Sequence, residues 1–246
     1  MDSVVVDIPS ILSAISQLSD KISQIPDEIP SYFQKRTAHA ICVTLSYISG
    51  LSLSGACLSK AWKTVIVVTL LKKQPSSVCN YLPISLTSSV CKVLEILVRD
   101  SVTTHLLSLG LLYPSQHGFR AGCSTVTQLI LASTDCFSAF NDCVQTEVVY
   151  IDFAKGFDVV CHRKLLLKLE AYGIFGALFG SLLMGRTFRV KVGNSLCEFR
   201  STSSDVLQRS VLGPLLFLLV INDPSDSIHC TCKILADDVK ISGPLR

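Results

Sequence analysis

The sequence predicts an α/β (α+β) fold in which helices pack on a small antiparallel sheet. Three observations predict it. Residues 64–69 form a β-branched run, TVIVVT, of the kind that fills a buried strand. Two long segments, 87–109 and 124–140, repeat apolar residues at helical spacing. Two short apolar stretches, 230–235 and 239–242, are joined across Ala236, Asp237 and Asp238, as strands joined by a tight turn would be.

The remaining elements follow in chain order. Residues 8–25 carry Ile11, Leu12, Ile15, Leu18 and Ile22 on one helical face, and Pro26 ends that pattern. A second helix is expected over 31–49. The strand around the β-branched run spans 62–71, and 75–83 reads as loop. In the helix over 87–109, Val90, Val93, Leu94, Leu97, Val98 and Val102 form the apolar side, with Lys92, Glu95 and Arg99 opposite. Residues 111–122, with Pro114, Gly118 and Gly122, form an irregular loop. Ser124 caps the helix that follows it. Residues 147–153 (EVVYIDF) read as a strand ending on an acid, 157–172 as a helix, 188–192 as a strand turning at Gly193-Asn194, and 210–221 as an apolar helix.

The bulk properties set bounds. The chain has 246 residues, enough for one large domain or two subdomains sharing a core. Hydrophobic residues make up 49%, charged residues 17%, and mean hydropathy is +0.48, which excludes disorder over most of the length. A net charge of +3 and a pI of about 8.3 exclude the strong basic excess that by itself marks a nucleic-acid binder. The basic residues are grouped as Lys60, Lys63, Lys72 and Lys73, then Arg163, Lys164 and Lys168, then Arg186, Arg189 and Lys191. Each set alone reads as a solvated face. The 11 cysteines include no C-x-x-C pair, and no secretory leader pattern precedes them, so they read as reduced and mostly buried. Residues 40–58 carry too many serines and glycines for a membrane span. Residues 211–221 are about half the ~20 residues that a span needs. Cytoplasm or nucleus is the expected location.

The chemistry lies in the acids. Asp152 ends an apolar strand, and Asp237-Asp238 sit between two others. An ionised carboxylate beside a core is costly unless paired or bound to a cation, and adjacent carboxylates raise each other's pKa. A divalent cation removes that conflict. Taken singly, Asp238 reads as a turn residue and Asp152 as a helix N-cap. Taken together, they match the carboxylate layout that two-metal phosphoryl transfer needs, with acids from distant positions converging on rigid strands.

Six segments extend this reading: YIDFAKGFD at 150–158, LADDV at 235–239, NYLPISL at 80–86, QHGFR at 116–120, VLQRSVLGP at 206–214 and IND at 221–223. In order and spacing they resemble the reverse transcriptase of LINE-like (non-LTR, jockey-like) retrotransposons. The resemblance implies an RNA-directed DNA polymerase with a fingers-and-palm fold. In it Asp152, Asp237 and Asp238 would hold two Mg²⁺ or Mn²⁺ ions with the bound nucleotide. Phe153 and Phe157 would contact that nucleotide, Phe157 lying under the sugar and excluding a 2′-hydroxyl. Gln208 would touch the incoming nucleotide, and Lys72 or Lys73 its triphosphate. Gln116, Gly118 and Arg120 would line the template or fingers surface, and the basic groups would track backbone phosphates. The implied partners are an RNA template, a DNA primer and deoxynucleoside triphosphates, with no membrane.

The implied layout is a helical lead-in over 1–60, fingers over 61–140 and an incomplete palm over 141–246. The sequence stops just after the acid pair, so the thumb and endonuclease regions of such an element are expected outside it. Several positions depart from the family pattern. Leu82 stands where the pattern has Arg, Leu207 and Arg209 flank Gln208 in place of Pro and Gly, Asp205 replaces a Gly and Gly156 an Ala. The stretch between Gly176 and Gly185 is about three residues short. These departures leave a second reading, a catalytically dead, truncated remnant that at most binds nucleic acid.

Overall fold

The computed structural model describes residues 4–20, 26–71, 74, 77, 80–153, 156–174, 177–201, 206, 210–223 and 230–244. Helix α4 (Ser89–Ser108) is its axis. Ser88 caps it, its hydroxyl accepting from Cys91 N at 3.1 Å. Cys91, Leu94, Val98, Val102 and Leu106 form one buried stripe at steps of three and four residues. That stripe packs into the main core with α6 (His162–Ala171), α7 (Ala177–Leu183) and α8 (Gly213–Val220). A second stripe of Val93, Ile96 and Leu97 packs against α1 (Ile8–Ser16) and α3 (Ala38–Ser54). Burial of each such side chain stabilises by roughly 1.5–3 kcal/mol. Because α4 is covered on two sides, it has no fully polar face, and Glu95 is 1% exposed rather than on an outer surface as its polarity suggests.

Glu95 is tolerated there because it is fully engaged. It accepts from Arg186 Nη2 at 3.3 Å and from Val211 N at 3.1 Å. Arg186, 6% exposed, also donates from Nε to the Leu182 carbonyl. It is therefore an interior residue, not part of a phosphate-tracking surface. Its other guanidinium nitrogen is buried without a hydrogen-bond partner among the described residues.

Five strands form a mixed sheet. β1 (Thr64–Leu71) lies between β2 (Tyr81–Thr87), to which it is antiparallel, and β4 (Thr187–Val192), to which it is parallel. The short β5 (Ser195–Leu196) and β6 (Arg200–Ser201) both pair with β4. The sheet thus draws strands from both sides of residue 140. A separate antiparallel sheet has the order β3 (Thr146–Asp152), β8 (Asp238–Pro244), β7 (Thr231–Leu235). Helix α5 (Thr125–Asn141) packs beside β7. Ser124 and Thr127 form a reciprocal capping box at its start, as the serine at that position predicts.

Four local expectations are corrected. The expected loop over 75–83 gives way to β2 at Tyr81, directly after Asn80. Pro83 fits inside β2 because that strand is the sheet edge, where a missing N–H breaks no ladder. The expected helix over 31–49 is two helices, α2 (Ser31–Arg36) and α3, divided at Thr37. The helix expected from 157 begins at His162, since 156–159 form turns that seat Phe157 against the core. The cysteines are not mostly buried. Every described one is free, but only Cys42, Cys91 and Cys232 are buried, and six are exposed. No described helix is long and apolar enough to cross a membrane.

Removing Glu95 tests the buried pair. Glu95→Ala strands the Arg186 charge in the interior and is expected to cost about 3–5 kcal/mol in urea unfolding. Glu95→Gln, which keeps an acceptor for Val211, is expected to cost less. Equal losses would show that the charge pairing contributes nothing.

Candidate active site

The three acids lie at the same end of the small sheet. β7 and β8 are joined by the two-residue turn Ala236-Asp237, with Leu235 paired to Asp238. Ala236 has φ +53°, a left-handed conformation that costs an L-residue about 1–2 kcal/mol. Across the other ladder, Asp152 pairs with Asp238, so the two stand on one face of neighbouring strands. Such directly opposed residues have Cβ atoms about 4.5–5.5 Å apart. Phe153 N donates to the Asp237 carbonyl at 3.5 Å, tying the end of β3 to the turn. Asp152 is not a helix cap, because α6 begins ten residues later behind Cys161.

Like charges opposed across a ladder repel. The Asp238 carboxyl is held above its ordinary value by partial loss of hydration first, then by Asp237 and by Asp152. The donor set is carboxylate oxygen alone, which suits a hard divalent cation. Among the described residues, no three acidic, histidine or cysteine side chains are already drawn together as a ligand cluster. The fit is therefore one of donor chemistry and placement.

The 113–120 loop lies beneath the turn. Ile234 N donates to the Ser115 carbonyl at 3.0 Å, and His117 N to the Ile234 carbonyl at 2.8 Å. Gln116 is 4% exposed, and its Oε1 accepts from Gly118 N at 2.6 Å and from Ala236 N at 3.1 Å. A Cβ on Gly118 would lie 2.1 Å from Ala236 N, so no other residue fits there without moving backbone. Arg120 folds back on its own loop, its Nη1 reaching the carbonyls of Tyr113, Pro114 and Gln116. Gln116 and Gly118 are thus buried supports of the turn, and Arg120 braces the loop.

Phe157 is half-buried. Its ring stacks on Phe217 at 4.3 Å and meets the edge of Phe119 at 6.1 Å. Its carbonyl accepts from Val206 N at 3.0 Å, which anchors the start of the VLQRS segment. Phe153 is exposed beside the acids. A Cβ on Gly156 would come within 3.0 Å of the Phe217 ring, so the alanine of the family pattern would require that ring to shift. Leu82 pairs with Leu70 on the edge of the mixed sheet, where it offers no hydrogen-bond donor. Lys72, Lys73, Asp205, Leu207, Gln208 and Arg209 lie outside the described residues. An open groove of about 560 Å³ runs from Asp152 and Asp238 along α5, past Gln128, Ala132, Phe137 and Tyr150.

The IND segment is a structural tie between the 111–113 loop and the end of α6. Asn222 accepts from Tyr113 N at 2.8 Å and donates to the Leu111 carbonyl at 2.6 Å and to Tyr172 Oη at 2.9 Å. Asp223 pairs with Lys168 at 2.5 Å and accepts from Tyr172 Oη. Two further basic residues bond to backbone carbonyls, Lys63 to Met184 and Arg189 to Cys197. The signal for this tie is a polar Asn-Asp pair just after an apolar helix. Phe217 carries no comparable signal, being an ordinary apolar residue until the fold stacks it on Phe157, and Phe119 is legible only as part of QHGFR.

Residues 71–244 match the family described as Reverse transcriptase (RNA-dependent DNA polymerase). The chain therefore belongs to the reverse transcriptase family. It is 31% identical over 224 residues to a probable RNA-directed DNA polymerase from transposon BS of Drosophila melanogaster, covering 88% of this chain and 24% of that protein. It is also 31% identical over 190 residues to the probable RNA-directed DNA polymerase from transposon X-element of the same species, covering 74% and 21%. The RNA-directed DNA polymerase from its mobile element jockey is 30% identical over 170 residues, covering 67% and 18%. The chain thus spans about a quarter or less of these relatives.

Two pH-linked outcomes are expected. With the Asp238 carboxyl raised above 3.8, the folded state binds its proton more tightly, so ionisation there lowers stability as pH rises. Asp238→Asn is expected to raise the melting temperature at pH 7 in chelating buffer, with the difference vanishing below about pH 3.8. His117 is depressed below 6.5 by burial, then by Arg120 and Lys233. Its contribution is full above about pH 6.5 and lost as pH falls below it. His117→Gln is expected to flatten the pH 5–7 part of the stability profile.

Proposed function

We propose that this chain is the fingers and palm of an RNA-directed DNA polymerase from a non-LTR retrotransposon. The observation that carries the reading is Asp152 standing opposite Asp238 on adjacent strands, with Asp237 in the adjoining turn. Asp152, Asp237 and Asp238 would hold Mg²⁺ or Mn²⁺. Bound there, divalent ions would supply neutralisation of the charge that develops on the reacting phosphate. The primer 3′-hydroxyl would give up its proton to solvent as its oxygen bonds to the α-phosphorus of the nucleotide and pyrophosphate leaves. Phe157, pinned by Phe119 and Phe217, would form the floor under the sugar and disfavour a 2′-hydroxyl. Gln208 and Lys72 or Lys73 would contact the nucleotide, and the groove along α5 would receive the RNA template and DNA primer. On this reading residues 61–140 are fingers and 141–246 palm.

Leu82 favours a second reading, a catalytically dead remnant. A guanidinium at that position would grip a phosphate by paired hydrogen bonds, and leucine cannot. Primer extension on poly-rA with an oligo-dT primer, in Mg²⁺ or Mn²⁺, separates the two. Incorporation by the parent, reduced on the order of 10²-fold or more in Asp237→Asn, is the expected result. Folded, soluble protein with no incorporation in either form would leave the remnant reading.

A further inference from the structure

We propose that Gln116 is a positioning residue that sets the conformation of the acid-bearing turn. A two-residue hairpin leaves the first turn amide without a ladder partner. Here that amide belongs to Ala236, the residue held at φ +53°. Gln116 Oε1 accepts from it at 3.1 Å while also accepting from Gly118 N at 2.6 Å. One buried oxygen therefore links the loop to the turn. The backbone bonds between Ile234 and residues Ser115 and His117 hold the side chain at that distance. The contact of Gly118 with Ala236 leaves no room for the turn to relax toward the loop. Strain at Ala236 persists only if its surroundings over-determine it, and Gln116 supplies the directional part of that constraint. Without it, Asp237 loses its fixed relation to Asp152 and Asp238.

The effect on nucleotidyl transfer rests on the function proposed above, but the effect on the turn does not. The test is residue-resolved hydrogen exchange of the whole chain, joined to Mn²⁺ titration followed by electron paramagnetic resonance. Gln116→Met keeps length and removes the acceptor, whereas Gln116→Glu keeps the acceptor. Gln116→Met is expected to speed exchange at Ala236 and Gly118 at least tenfold while Val239 and Ile241 keep parental rates. Gln116→Glu is expected to restore protection at both amides. If the parent binds Mn²⁺ at the acids, Gln116→Met is expected to weaken that binding several-fold. Absence of Mn²⁺ binding in a parent with protected amides would count against the proposed catalysis and leave the positioning role standing. Unchanged exchange in folded Gln116→Met would overturn it. Should that variant not fold, the parent still decides, since Ala236 exchanging at the rate of an unstructured peptide would overturn the proposal equally.

Discussion

Two backbone hydrogen bonds on either side of Ile234 join the small sheet to the rest of the molecule. They make the 113–118 segment a partial fourth strand beside β7. The same loop is held at its other end by Asn222, which reaches α6 through Tyr172 and sits at the end of α8. The acids are therefore not carried by a free hairpin. They are carried by a hairpin fastened through one loop to the helices of the main core.

That attachment matters because the small sheet has little core of its own. Its buried cluster is Cys232, Ile234 and Val239, whereas the main core draws on α4, α6, α7 and α8. β3 presents exposed side chains at Val149, Tyr150 and Ile151, and α5 buries only Ala132. Apolar burial is thus concentrated away from the acids, and polar contacts with defined direction take over near them. Clustered carboxylates oppose folding, and a rigid neighbouring body lets them persist.

Much of this is legible in the sequence, for stated physical reasons. The β-branched run, the Ser124 cap and the apolar periodicity of α4 are local signals, and local signals survive in a linear reading. The acids are legible because charge beside apolar strands is unusual. Glu95 and Arg186 escape such a reading because each looks solvent-facing in its own segment, and only their meeting across 91 positions makes burial tolerable. Gln116 and Gly118 are legible as a motif, but not as turn supports, since their partner Ala236 lies 118 to 120 positions away. β2 is hidden because Pro83 signals loop unless the strand is known to be an edge.

The ladder between β3 and β8 has a consequence for how such a chain tolerates change. Side chains on a strand alternate between faces, so a one-residue slip in register would take Asp152 off the face it shares with Asp238. Loss of a single codon within 146–151 shifts that register by one. The segment can keep its backbone pairing, and the helices of the main core keep their packing, yet Asp152 passes to the opposite side of the sheet. A small in-frame deletion there would separate foldedness from chemistry more cleanly than substitution of any core residue.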